Sequence, residues 1–341
     1  MEQVYLDKGP LLNEEGNLNQ AGYAFELAKE YSRKAIKASG WRIKEWDYYF
    51  IGDDKFGVAL TIADNSYMDL LSISVLDFVN KKHWTKSYME WLTFGMIKFP
   101  STSRTGDIFH EGKKFSMYFK NDNGKRRLVC TMKNVAKNCD FSCDITLNPT
   151  TEKSMVIATP FHKKKHFYYN QKINNLKAKG SFKFGAISHT FSKDAMGVLD
   201  WGRGVWTYSN TWYWSSLNAI QDGHTIGFNL GYGFGDTSKA SENMFFYDKE
   251  AYKLNDVTFN IPKNEKGKED YMSPWTFTSK SLDINLTFTP IIDRYGNTNV
   301  IILQTLQHQV FGYFSGTITA GGKVFEIKNL LGFAEKVKNR Y

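Results

Sequence analysis

From Trp41 onward the side chains alternate with a period of two, and this recurs through almost all of the chain. WRIKEWDYYFIG, FGVALTIAD, YMDLLSISVLDFV, KFSMYFKND, RRLVCTM and FSCDITLNP each put every second residue on one face, as a half-buried strand does. Many of these runs are separated by turn chemistry, as at Asp53-Asp54, Asp64-Asn65 and Asn121-Asp122-Asn123-Gly124. Asn and Asp satisfy their own backbone there, and Gly tolerates positive φ. The second half repeats the style, with strands expected at 204–216, 224–234, 299–307 and several shorter stretches. No long helical pattern offers a crossover between parallel strands, so the expectation is an all-β antiparallel meander. Two runs of short strands suggest two sandwiches or barrels in tandem. The Lys-, Asn- and Thr-rich stretch 150–180 is the natural boundary, giving an N-terminal segment 1–39, a first β domain 40–175 and a second 176–341. Within the first segment, Ala24, Leu27, Ala28 and Tyr31 recur at helical spacing, and a short helix is expected over 17–38.

Aromatic content is the compositional outlier: 26 Phe, 19 Tyr and 9 Trp among 341 residues. Such rings favour pleated surfaces, and they also line cavities. The formal charge of +9 is scattered, with only Lys125-Arg126-Arg127 and Lys163-Lys164-Lys165 as runs, so nucleic acid is not an expected partner. Three cysteines, an odd number, and an N-terminus without a basic start or apolar core point to free thiols in the cytoplasm. No apolar run reaches the length of a membrane span, so no integral membrane segment is expected.

The densest segment is LDWGRGVWTYSNTWYW, residues 199–214. On one extended strand Trp206, Tyr208, Asn210, Trp212 and Trp214 would share a face, a wall of rings with one amide in it. Rings could fill a core, but compact aliphatic residues usually do that, whereas a cavity wall accepts bulky rings. The next strand puts Thr225, Gly227, Asn229, Gly231 and Gly233 on one face. Three glycines on one strand face imply that a ring or a ligand approaches the bare backbone. The run GYGFG lacks the Gly-Lys-Ser/Thr ending of a phosphate loop, and no cofactor is expected.

Candidate acids follow from the same patterning. Asp200 and Arg203 flank Gly202, either as a structural ion pair or with Arg203 fixing a ligand oxygen and Asp200 poised as an acid. Glu45 and Asp47 are two residues apart on one strand, about 6.6 Å, so both meet the same group or both face solvent. Glu242 is an acid at a barrel mouth or a turn residue. Tyr169 and Asn170 lie in a hydrogen-bonding cluster after His166, and His308 sits between two glutamines, where an imidazole could shuttle protons. His162 and His166, separated by three lysines, lack the helix and the low-charge surround of a metal site, and no metal is expected. No Gly-x-Ser-x-Gly elbow occurs.

The stretches RIKEWDYY (42–49), FYYNQKI (167–173), VLDWGRGVWTYSNTWYW (198–214), GFNLGYGFGDTSKASEN (227–243), HQVFGYFSG (308–316) and GFAEKV (332–337) resemble the bacterial family called domain of unknown function 2804. That family is distantly similar to carotenoid 1,2-hydratases and other tandem lipocalin-like proteins. The resemblance implies two calycin-type barrels sharing a ligand cavity, and it assigns no catalytic residue. Two readings follow for the partner, a small molecule. The first is acid–base chemistry of hydratase, lyase, isomerase or cyclase type on a ligand with apolar or ring surfaces. The second is a non-catalytic carrier or sensor of a lipid, isoprenoid or sugar, for which a dry cavity without a facing carboxyl is expected.

Overall fold

The computed structural model describes residues 2–300 and 303–340. Its described residues are strands, turns and two short 3₁₀ turns, without an α-helix. Two large sheets carry the fold, and every described pairing in them is antiparallel. The main path of the first runs Lys82–Trp91, Met68–Asp77, Phe56–Asp64, Ile43–Gly52, Met196–Val205, Phe167–Phe184, Cys139–Pro149, Lys125–Ala136, Phe115–Asp122 and Ile108–Gly112. The second runs Glu250–Lys253, Met244–Tyr247, His224–Tyr232, Ser209–Gln221, Lys323–Arg340, Leu303–Ala320, Ile284–Val300, Trp275–Thr278 and Thr258–Asn260. Each sheet curls into a half-barrel, and the two lie in tandem. Among the described residues no helix is long and apolar enough to cross a membrane. The expected strand 299–307 takes in residues 301 and 302, which lie outside the described residues.

Each half-barrel is filled by one face of its strands. In the first, Ile43, Tyr49, Ile51, Leu60, Ile73 and Trp201 belong to a single buried cluster. In the second, Leu217, Phe228, Trp275, Phe288, Val310 and Phe314 do the same. The other face of the central strands meets the opposite sheet. Phe50 of the first sheet packs on Phe311 and Phe333 of the second, with ring centroids 5.0 and 5.7 Å apart. Polar ties join the sheets as well. A register shift between Ile173 and Leu176 throws out Asn174 and Asn175, and the Asn174 amide donates to Ser216, Asn218 and the Phe228 carbonyl. Gly227 is bare because Asn175 lies over it: a Cβ there would sit 2.5 Å from the Asn175 amide oxygen.

Position 175 falls inside the strand Phe167–Phe184, whose neighbour in the first sheet is Met196–Val205, and the chain enters the second sheet at Ser209. The expected single strand 204–216 is therefore two strands of different sheets, interrupted at residues 206–208.

The helix expected over 17–38 is absent. Ala24, Ala28 and Tyr31 are buried as their spacing suggests, yet from an extended segment: Gly22–Ala24 pairs with Met155–Pro160. A helix of that length gains little by itself, and sheet pairing overrides it. Gly22 serves close strand approach, since a Cβ would lie 2.5 Å from the Val4 carbonyl oxygen. The segment ends by capping buried acids. Arg33 pairs with Glu45 and lies 3.4 Å from Asp64, and the Tyr31 hydroxyl donates to Glu45 at 2.8 Å. Removing one partner of a buried pair leaves the other charge uncompensated. Arg33→Met is expected to lower unfolding free energy by on the order of 3 kcal/mol, while the exposed Lys34→Met changes little; urea denaturation of both variants checks this.

Candidate active site

A cavity of about 380 Å³ lies between the two half-barrels, with walls from both sheets. On the first sheet the lining is a cross-strand row, Lys172–Asp200–Tyr48–Thr61–Ser72–Ser87, each residue paired with the next. On the second sheet the corresponding row is Trp214–Glu335–Gln309–Arg294. Register, together with the period of two, builds these rows.

Rings close one end. Trp46 stacks on Tyr168 at 6.1 Å and meets Trp206 edge-on at 5.2 Å. Trp206 in turn touches Trp212 and Phe234, at 5.7 and 4.7 Å. The Trp46 indole lies flat over bare backbone, since a Cβ on Gly202 would come within 1.9 Å of it. These rings interlock with one another and still leave the hollow open on their inner side.

Three carboxyls reach the cavity, and each is held differently. Asp200 accepts from Lys172 Nζ at 2.7 Å and from the Asn170 amide at 2.7 Å. Glu335 accepts from Trp212 Nε1 at 3.0 Å, Gln307 at 2.6 Å and Gln309 at 3.2 Å. Glu242 has one side-chain donor, the Asn229 amide at 3.5 Å, and its carboxyl sits over Gly231, where a Cβ would come within 2.7 Å. Burial pushes both glutamates above the ordinary carboxylate range, with Lys172 pulling the other way. Burial likewise raises the Tyr168 hydroxyl, and the nearby charges of Asp200, Glu242 and Glu335 raise it further. Lys172 is the cation they share, its Nζ 3.8 Å from the centre of the Trp214 ring. The site thus combines one ammonium, three carboxyls of unequal support and a wall of indoles, a set suited to moving protons beside an apolar ligand.

The expected site residues divide by strand face. Asp200, Glu242, Trp206, Trp212 and Trp214 line the cavity. Asn170 and Asn229 stand behind it, orienting Asp200 and Glu242; Asn229 also accepts from Trp214 Nε1 at 2.7 Å. Glu45 and Asp47 face the interior of the first half-barrel, one residue out of phase with Trp46 and Tyr48, which do line the cavity. Arg203 is wholly buried there too. Its guanidinium donates to the carbonyls of Trp46, Gly202 and Pro100 and to Asp47, and lies 4.3 Å from the Trp201 ring. Tyr169 is in the same interior, its hydroxyl bonded to the Lys29 backbone. Tyr208 is exposed beside Arg42, and Asn210 closes a turn onto Thr207. His308 is on the far face of its strand, paired with Asp293 at 2.7 Å and stacked on Tyr271. Trp46, Tyr48, Lys172 and Glu335 line the cavity without being marked as site residues by the sequence. The alternation that exposes Glu45 and Asp47 to one side exposes Trp46 and Tyr48 to the other, so the signal for those two was present without its sign.

The model of the family described as Domain of unknown function (DUF2804) matches residues 2–341. The chain belongs to the DUF2804 family. Among solved structures, a protein from Nitrosomonas europaea assigned as an AttH is 11% identical, with a TM-score of 0.54 over 92% of this chain and 98% of that one. Kievitone hydratase from Nectria haematococca is 12% identical, with a TM-score of 0.56 over 93% and 97%. Both establish a shared fold for this DUF2804 chain. No curated protein sequence matches it.

Two outcomes follow for this DUF2804 protein. Gly202→Ala is expected to displace the Trp46 indole, cost about 1–3 kcal/mol by overpacking and alter tryptophan fluorescence; thermal melts and emission spectra read both. Asp47 supplies a pH test. Burial pushes its carboxyl up to about 6 despite Arg203, against about 3.9 in an unfolded chain. Between those values the folded protein keeps a proton that the unfolded chain has released, so its contribution is present below pH ~4 and lost as pH rises through ~6. Relative to Asp47→Asn, wild-type stability should fall by up to about 3 kcal/mol across that window, measured by denaturant unfolding at each pH.

Proposed function

We propose that the cavity between the half-barrels binds a small ring-bearing or apolar molecule and performs acid–base chemistry on it, of the hydration and dehydration type. One observation carries this reading: three buried carboxyls, Asp200, Glu242 and Glu335, converge with Lys172 on a hollow walled by indoles. A carrier of an apolar ligand has no use for such groups, since buried acids cost stability unless they are paired.

Glu242 is the proton donor in this reading. It is the least supported of the three, and its burial favours the protonated form. It gives its proton to one carbon of a double bond, leaving positive charge on the other. The indole faces of Trp46, Trp206, Trp212 and Trp214 stabilise that charge. Water adds to the cationic carbon and passes a proton to Asp200, which Lys172 and Asn170 hold in place. Glu335, fixed by three N–H donors, and Tyr168 orient the oxygen atoms. The run in reverse expels water. Kievitone hydratase, by its name a hydratase, has the same fold and supports this choice among proton-transfer reactions. The same reading has the protein working in the cytoplasm, supported by its odd number of cysteines.

Native mass spectrometry of gently purified protein identifies the bound molecule, and its turnover is then followed in variants. Glu242→Gln and Asp200→Asn are expected to lower turnover by about 10²–10⁴-fold while affinity, read by tryptophan fluorescence, stays within a few-fold. A bound molecule that is never converted, with affinity indifferent to both substitutions, establishes a carrier instead.

A further inference from the structure

The opposite face of the first sheet carries a second row of acids, separate from the cavity. Arg203, Glu45, Asp64, Asp69 and Glu90 are successive cross-strand partners on five neighbouring strands. Four carboxyls in one row require compensation. At one end it is supplied, because Arg33 pairs with Glu45 and Asp64 while Arg203 lies 4.0 Å from Glu45. At the other end no arginine pairs with the acids among the described residues. Asp69 is completely buried, and among the described residues neither of its carboxylate oxygens has a partner in good hydrogen-bond geometry, the Thr93 hydroxyl being the neutral group beside it. Glu90, one step along the row, meets His110 Nε2 at 2.6 Å.

His110 arrives from the far edge of the sheet. Its strand, Ile108–Gly112, ends the strand order opposite Lys82–Trp91, which carries Glu90. The curl of the sheet brings these two edges together, so the cluster sits on the seam of the half-barrel. One ligand atom from each of Asp69, Glu90 and His110 falls within 4.8 Å of the others. A tetrahedral ion with bonds of about 2.0–2.2 Å places its ligands about 3.4 Å apart, which modest side-chain adjustment achieves. One imidazole and two carboxylates are a donor set for zinc and manganese.

We infer that Asp69, Glu90 and His110 bind one divalent metal ion of the zinc or manganese class, which fastens the two edges of the first half-barrel together. The ion supplies the charge that this end of the acid row lacks, and gives the buried Asp69 oxygens a partner. Because Glu90 and His110 are partly exposed, ions enter from solvent and water completes the coordination. The metal lies on the sheet face away from Asp200 and Glu242, so its role is to hold the seam closed. The histidines singled out from sequence, His162 and His166, take no part. His110 attracted no notice there because its partners are remote in sequence.

The test uses the full chain, stripped of metal by dialysis against a chelator and titrated calorimetrically with zinc chloride and, separately, manganese chloride. One equivalent of at least one ion should bind per chain, with affinity reduced at least a hundredfold in His110→Gln. The bound ion should raise the melting temperature of wild type and not of His110→Gln. Glu242→Gln should bind the ion as wild type does, separating this site from the cavity. His110 is half-buried, so its substitution leaves a folded protein even where Asp69→Asn does not. Failure of both ions to bind the stripped wild type, or equal binding by His110→Gln, overturns the inference.

Discussion

The central strands of the first sheet have no solvent side. All ten residues of Met196–Val205 are buried, and nearly all of Ile43–Gly52. Since successive side chains point to opposite faces, one set must fill the half-barrel and the other must face the second sheet. Everything functional follows from that constraint. Phe50, Phe311 and Phe333 seal part of the space between the sheets, and fully burying such rings is worth about 1.5–3 kcal/mol each. Where the facing residues are polar and rings close only one end, the sheets stand apart and the cavity remains.

Double-sided burial also explains the polar chemistry of this chain. Antiparallel strands usually wet one face, and charged residues go there. Here Lys172, Asp200, Glu242 and Glu335 face the space between the sheets, while Glu45, Asp47, Asp64, Asp69 and Arg203 face an interior. Their compensation therefore has to come from within the fold or from a bound ion. Arg203 finds it on its own strand pair, bonded to Asp47 and three carbonyls and sandwiched between the Trp201 and Phe99 rings. Lys172 does so across the pair, at Asp200. The first arrangement is saturated and holds the sheet; the second leaves acids with acceptor oxygens to spare, facing an open hollow.

Much of this was visible in the residues alone. Alternation and turn chemistry identify an all-β antiparallel chain, and Trp206, Trp212 and Trp214 of the ring-rich segment line the hollow. Asp200 and Glu242 stand out for the same reason, as acids beside that wall. Alternation alone is ambiguous where one strand offers two acceptable faces. Glu45 and Asp47 are an acid pair by spacing, but the pleat turns them inward and presents Trp46 and Tyr48 to the cavity. The glycines of 227–233 do mark close approaches, although what approaches Gly227 and Gly231 is Asn175 and the Glu242 carboxyl.

The period of two is a local property, written in the order of residues, and it determined that strands would form and which side chains would travel together. It carries no information about which set turns toward a partner sheet. That choice was made by cross-strand register and by the docking of one half-barrel on the other. Both depend on contacts between residues far apart in the chain, such as Lys172 with Asp200 and Tyr48 with Gln309. Hence the inventory of acids and rings belongs to the sequence, and their assembly around one hollow belongs to the tertiary fold.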